Sequence, residues 1–374
     1  MNPLIQKLTE TFSPSGYETA IRDLIRDEIK PLADEIRVDA LGNLIARKGP
    51  STPFVPPRVG LRRASAASAK RSCGRRCETA GSPVPAALAQ AGQSKNVKKI
   101  MLAAHMDEIG LIATHIDKNG FIRFTTLGGV RPHTLLGGRV RFAGGAPGVI
   151  GGERITDTTK TYTFEQLFID VGAANRKACP VKVGEVAAFE RPFLDLGGRL
   201  VAKSMDDRIG CAVLIETLRG LKTTPHELYF VFSTQEEVGI RGVTGAAFGL
   251  DPDLGLAVDV TGTGDTPKSS KMEVALGKGP AVKVKDGGMI SDPRVVDWMI
   301  RTAEKAKLPY QREVLEGGST DARAMQLTRS GVPAGCLSVP CRYIHSPSEM
   351  VDASDVQNAV KLLIALLNAP IELK

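Results

Sequence analysis

Four short apolar runs, each leading to a residue that can carry a proton or ligate an ion, constrain this chain more than any other feature. Lys99-Ile100-Met101-Leu102-Ala103-Ala104 leads into His105, and Leu228-Tyr229-Phe230-Val231-Phe232-Ser233 leads towards Glu236. Leu254 to Val258 ends at Asp259, and Ala334 to Val339 is followed shortly by His345. Segments with helical spacing alternate with them, among them Glu18 to about Ile36 and Ile209 to Leu218. That alternation predicts an α/β domain with a largely parallel or mixed sheet covered by helices on both faces. In open α/β sheets ligands bind outside the carboxyl ends of the strands, where all four of those polar residues fall.

From about Leu111 to Gly198 the texture changes to Gly-rich turns separated by short β-type runs: Phe121 to Phe124, Arg139 to Phe142, Leu167 to Val171 and Glu185 to Phe189. Regular short strands with turn signals predict a small all-β domain of residues 111–198, inserted into an α/β unit made of residues 1–110 and 199–374. The stretch from Ser51 to about Asn96 shows neither helical nor strand periodicity and is rich in Arg, Ala, Ser, Gly and Pro. It reads as a basic, low-complexity insertion of residues 51–96, which is a disordered segment, a functional arm or a translated sequence foreign to the ancestral gene, and its removal is expected to leave activity intact or improve solubility.

Charge and cysteine content narrow the function classes. The net charge of +8 comes from one place: Ser51 to Lys98 holds nine basic residues and the acid Glu78, and the remaining 40 basic and 40 acidic residues balance. A nucleic-acid binder using that segment would need stacking aromatics or a recognised module, and the segment has Phe54 as its only aromatic. Six cysteines scattered over 374 residues make no disulfide framework, and Cys73 and Cys77 lack the second Cys or His pair of a metal knuckle. No apolar run is long enough for a membrane span and no secretion signal is visible, so a soluble cytoplasmic protein is expected.

Each polar residue at a strand end has a structural explanation as well as a chemical one. His105 heads His105-Met106-Asp107-Glu108, and period-two alternation puts Asp107 on its face, where it can fix the tautomer of a metal-bound imidazole. Asp206-Asp207-Arg208 precedes a helix, which makes N-capping the default role for its carboxylates. Glu236-Glu237 is harder to explain that way, because adjacent carboxylates after a buried strand repel unless a positive charge offsets them. With Asp259 and His345, the set contains imidazoles and carboxylates and no cysteine, which suits zinc, cobalt or manganese. His115, His133 and His226 have no acidic constellation and are read as structural or surface residues.

The chain resembles the glutamyl-aminopeptidase and endoglucanase-M-like family of dinuclear, tetrahedral metalloaminopeptidases. The resemblance is carried by Ser13 to Glu18, Leu41 to Leu44, Ala104 to Gly110, Asp206 to Gly210, Gln235 to Gly239, Val258 to Thr261, Thr320 to Ala322 and Arg342 to Pro347. It implies a zinc-peptidase-type catalytic domain with two divalent metal ions per subunit, zinc or cobalt with manganese as an alternative. His105, Asp206 and Asp259 would hold one ion and Asp206, Glu237 and His345 the other, with Asp206 bridging. Glu236 would be the catalytic base that activates a metal-bridging water, and Asp107 would count as catalytic through the histidine it orients. The substrates would be short peptides cut after their first residue. The inserted β domain would make dimer contacts, and dimers would assemble into homo-oligomers as large as a dodecamer.

Other chemistries remain open at this stage. A glycoside hydrolase would need carboxylates facing each other across roughly 5–9.5 Å, an arrangement that neighbours in sequence reach poorly, and would have no use for two histidines. A dinuclear deacylase or carboxypeptidase would share the same ligands, since a site of this kind does not by itself fix the amide that is cut.

Overall fold

The computed structural model describes residues 1–51, 97–157 and 159–373. The basic 51–96 insertion therefore lies outside the described residues, apart from Ser51. The chain begins with helices α1 (Asn2–Glu10) and α2 (Thr19–Ile29), then strands β1 (Glu35–Val38), β2 (Leu44–Lys48) and β3 (Lys99–His105). Six short strands follow: β4 (Gly110–Ile116), β5 (Ile122–Leu127), β6 (Arg139–Phe142), β7 (Pro147–Gly152), β8 (Leu167–Asp170) and β9 (Val186–Phe189). Next come β10 (Leu194–Asp195), β11 (Arg199–Ala202), α3 (Met205–Gly220), β12 (Glu227–Ser233), α4 (Arg241–Leu250), β13 (Leu254–Thr261) and β14 (Ala281–Lys285). The rest is α5 (Pro293–Lys305), β15 (Gln311–Val314), α6 (Asp321–Gln326), β16 (Ala334–Arg342), β17 (Glu349–Asp352) and α7 (Ala353–Leu367).

Among the described residues the strands form an eleven-stranded mixed sheet and a closed six-stranded barrel. The four apolar runs read from the sequence are β12, β3, β13 and β16, which are consecutive and mutually parallel at the centre of the large sheet. Their side chains divide between two cores, as the strand period requires. Ile100, Leu102 and Ala104 pack with α1, α2, α3, α5 and α7 on one face, whereas Met101 and Ala103 pack with α4 and α6 on the other. Helices on both faces explain why these runs are apolar throughout rather than alternating. Parallel neighbours also point their carboxyl ends the same way, which brings His105, Glu236, Asp259 and His345 to one edge.

Two local expectations are corrected. Helical spacing continues to about Ile36 in the sequence, but α2 ends at Ile29, and Ile36 pairs with Ala46 at the sheet margin. Strand pairing there overrides local periodicity. The helix expected from Ile209 starts at Met205, although Asp206 and Asp207 keep non-helical backbone angles inside that span.

The barrel closes in the order β4-β5-β8-β7-β6-β9, around a separate core that includes Leu111, Phe124, Val140, Phe142, Ile150 and Ile169. Leu194–Asp195, at the end of the segment expected to form the inserted domain, pairs with Arg199–Ala202 in the large sheet.

The flanks of the insertion come close together. Lys48 of β2 and Ile100 of β3 both lie opposite Leu228 of β12, on its two sides, and β2 runs antiparallel to β3. Two strand spacings, about 10 Å, separate them. Replacing residues 52–96 with a short Gly/Ser linker is therefore expected to leave the melting temperature within a few degrees and activity unchanged. Circular dichroism and a turnover assay check this, and loss of metal binding in the deletion would count against it.

Candidate active site

The site is built where the central strands end. β3 delivers His105, the turn after β12 delivers Glu236 and Glu237, β13 delivers Asp259, the entrance to α3 delivers Asp206, and the loop after β16 delivers His345. Two groups have donor atoms within 4.8 Å of one another: His105, Asp206 and Asp259 form the first, and Asp206, Glu237 and His345 the second. Asp206 belongs to both because its oxygens face opposite ways. Oδ1 is 2.9 Å from His105 Nε2, and Oδ2 is 3.4 Å from His345 Nε2, which is also 3.2 Å from Glu237 Oε2. Asp207 has the other role open to this pair, since its Oδ1 accepts the backbone N–H of Gly210 at 2.9 Å and caps α3.

The electrostatics describe a site short of positive charge. Burial raises Glu236, Glu237 and Asp259 above the ordinary carboxylate range, and neighbouring acids add to the shift. Asp206 goes the other way: burial opposes its charge, but His105 and His345 outweigh it. His345 is pushed up to about 11, because Asp206 and Glu237 more than offset its burial. His105 is likewise raised against burial, by Asp107 and Asp206. Glu237 Oε1 is buried without a hydrogen-bond partner. An excess of buried carboxylate, an orphaned oxygen and two imidazoles aimed at a shared Asp fit divalent cations.

Asp107 organises the surroundings more widely than the sequence suggests. Its Oδ1 is 3.4 Å from His105 Nδ1 and accepts the Glu236 backbone N–H at 2.9 Å. Oδ2 accepts the Ser15 hydroxyl at 2.6 Å and the Glu237 N–H at 3.2 Å. One buried carboxylate thus ties the imidazole face to the turn carrying both glutamates. Glu236 Oε2 is 3.9 Å from His105 Nε2 and lies outside both ligand groups, so its proton-accepting oxygen is free for other work.

Two further residues belong to this architecture and were not singled out from the sequence. Glu349, fully buried, accepts the Asp206 N–H at 2.9 Å through Oε2 and the His345 N–H at 2.8 Å through Oε1. Asp321 accepts the Ser233 hydroxyl at the end of β12 and is pushed up to about 6, chiefly by burial. Asp321 appears within a recognisable motif. Glu349 carries no signal, because a lone Glu at the start of a short strand resembles any surface residue. Glu349→Leu leaves the buried Asp206 N–H unpaired, at about 1–3 kcal/mol, and the half-buried His345 N–H as well. It is expected to lower the melting temperature by several degrees and to weaken metal uptake, as measured by thermal denaturation and bound-metal analysis. His226, read as structural, is buried and bonded through Nε2 to the Ala369 carbonyl at 3.0 Å.

Known proteins resemble this chain along most of its length. The M42 glutamyl aminopeptidase family matches residues 86–362. Lysyl aminopeptidase of Pyrococcus furiosus is 34% identical over 379 residues, covering 97% of this chain and 96% of that protein. Among solved structures, aminopeptidase APDkam598 of the archaeon Desulfurococcus kamchatkensis is 36% identical, covers 98% of this chain and 94% of its own, and superposes with a TM-score of 0.83. TET1 peptidase of Pyrococcus horikoshii, which assembles into a tetrahedron or a large octahedral shell, is 29% identical with a TM-score of 0.79 and 98% coverage of each chain. With residues 86–362 of its 374 matching the family and relatives aligned nearly end to end, this chain belongs to the M42 glutamyl aminopeptidase family.

Proposed function

We propose that this metalloaminopeptidase releases the first residue of short peptides using two divalent ions per subunit, one held by His105, Asp206 and Asp259 and the other by Asp206, Glu237 and His345. The observation that carries the proposal is the two-sided Asp206 carboxylate, with one imidazole on each oxygen. When bound, the ions supply Lewis-acid charge that polarises the scissile carbonyl and lowers the pKa of the attacking water. Glu236 takes that water's proton and passes it to the leaving amine. Its burial, which favours the protonated form, suits the second half of this cycle. Asp107 orients Glu236 by holding its backbone N–H.

The site's ions are zinc or cobalt in this reading, with manganese as the alternative that the oxygen-rich donor set also accommodates. The six-stranded barrel, β4 to β9, is the inserted β unit expected for residues 111–198, and Leu194–Asp195 at the end of that range joins the large sheet of the catalytic unit. The β unit mediates dimer contacts, as the family resemblance implies, and the subunits build a larger shell, by likeness to the TET1 peptidase, which can assemble into a tetrahedron or a large octahedral shell. A cytoplasmic location fits the free thiols of Cys179, Cys211, Cys336 and Cys341. No helix among the described residues is long and apolar enough to cross a membrane.

Glu237 is grouped with His345 and Asp206, partners for which a glycosidase carboxylate has no use, which disfavours the glycosidase alternative. The deciding experiment offers metal-stripped protein a panel of short peptides, N-acetylated peptides and a β-glucan, with zinc, cobalt or manganese added back. Metal-dependent release confined to free N-termini is the expected result. Cleavage of acetylated peptides or of the glucan would sink the proposal.

A further inference from the structure

We infer that Gly128 and Gly129, on the loop leaving barrel strand β5, are positioning residues for the second ion pocket. Their bare backbone lets the rim of the barrel form one wall of the Glu237–His345 group. The inference rests on the reading above, in which that group holds a cation.

The two glycines lie far from Glu237 and His345 in sequence but press directly on them. A Cβ added to Gly128 would fall 2.9 Å from Glu237 Oε2 and 3.2 Å from Glu237 Cβ. A Cβ on Gly129 would overlap His345 Nδ1 and lie 2.6 Å from its Cε1. The opposite edge of the same ring presents Nε2 to Glu237 and Asp206. The imidazole is therefore confined between barrel backbone on one side and the shared carboxylates on the other. Confinement matters here because the His345 side chain is 30% exposed, so packing alone does not fix it. Its main chain is held separately, by Glu349.

The geometry also says which substitution is informative. Gly128 has φ of +81°, so any side chain there would strain the backbone as well as crowd Glu237. Gly129 lies outside the left-handed region, so alanine fits its backbone and acts only through the space it fills. That space is occupied by the ring, and closely packed neighbours do not yield without a shift. Displacing His345 Nε2 removes a ligand from the second group and leaves the His105 group untouched. By this route the barrel serves the chemistry directly, in addition to any part in assembly.

The test uses the full-length protein stripped of metal and titrated with zinc, reading zinc bound per subunit and the affinity of each site for Gly129→Ala, His345→Ala and the double variant. The expected result is that Gly129→Ala weakens one of the two sites at least tenfold, that His345→Ala does so at least equally, and that the double variant is no weaker than His345→Ala alone. Wild-type zinc binding by Gly129→Ala, or a further loss on top of His345→Ala, would overturn the inference. If His345→Ala itself binds zinc normally, the ion-pocket reading fails and this inference falls with it. Should Gly129→Ala not fold, recovery of folding in the double variant supports the steric contact and continued misfolding refutes it.

Discussion

Glu236→Gln is expected to lower kcat for N-terminal residue release by about a thousandfold, within the roughly 10²–10⁴-fold range of general acid–base catalysis, while both ions stay bound. Glutamine keeps the size of the side chain, and the Glu236 backbone N–H still bonds Asp107, so the turn should not move. Glu236 belongs to neither ligand group, so bound-metal analysis should match the wild type. KM should change little, because the lost function is proton transfer and not substrate binding. Glu237→Gln should behave differently, with weaker metal binding preceding any change in turnover. Residual Glu236→Gln activity within tenfold of wild type would remove Glu236 from the role of base.

Metal removal is expected to have the second large effect: complete loss of turnover and a lower melting temperature, both restored by adding the ion back. A ligand bound only to the folded state stabilises it by RT ln(1 + [L]/Kd), about 4 kcal/mol at a thousandfold excess over Kd. The gain should depend on pH. In the metal-free protein His345 is raised to about 11, above its ordinary value near 6.5. The stabilisation from its charged form is therefore fully present below about pH 6.5 and fades as the pH rises towards 11. Ion binding displaces that proton, so affinity improves over the same interval. The rise in melting temperature on adding zinc should accordingly be larger at pH 9 than at pH 6. A gain that is flat or falls across this range would contradict the placement of His345 against the ion.

The central sheet was legible because burial on both faces forces a continuous apolar run, and such runs are visible in β3, β12, β13 and β16 without any partner being known. The candidate cluster that the fold gathers was legible because chemistry restricts the residue types at their ends. What escaped is whatever depends on long-range placement. Glu349 acts through two backbone N–H groups belonging to residues 206 and 345, and no local pattern encodes that. The end of α2 was misread because β1 gains its pairing from β2, which lies beyond any helical window. The division of labour between Asp206 and Asp207 came from the family resemblance and not from local pattern, since both are plausible caps by composition; in the fold the Gly210 N–H on Asp207 and the imidazoles on Asp206 separate them.

The order of the ligands along the chain also bears on how the enzyme is made. In the proposed assignment the first ion-binding side chain is His105 and the last is His345, and the strand that leads to Glu236 and Glu237 pairs with β2 and β3, synthesised well before it. A chain emerging from the ribosome from its N-terminus can complete the barrel early, because that unit's strands are contiguous in sequence. It cannot close both ion groups until residue 345 has been made. On that assignment the chain stays without hydrolytic power through most of its own translation, and the peptides around it are safe from it until the polypeptide is almost finished.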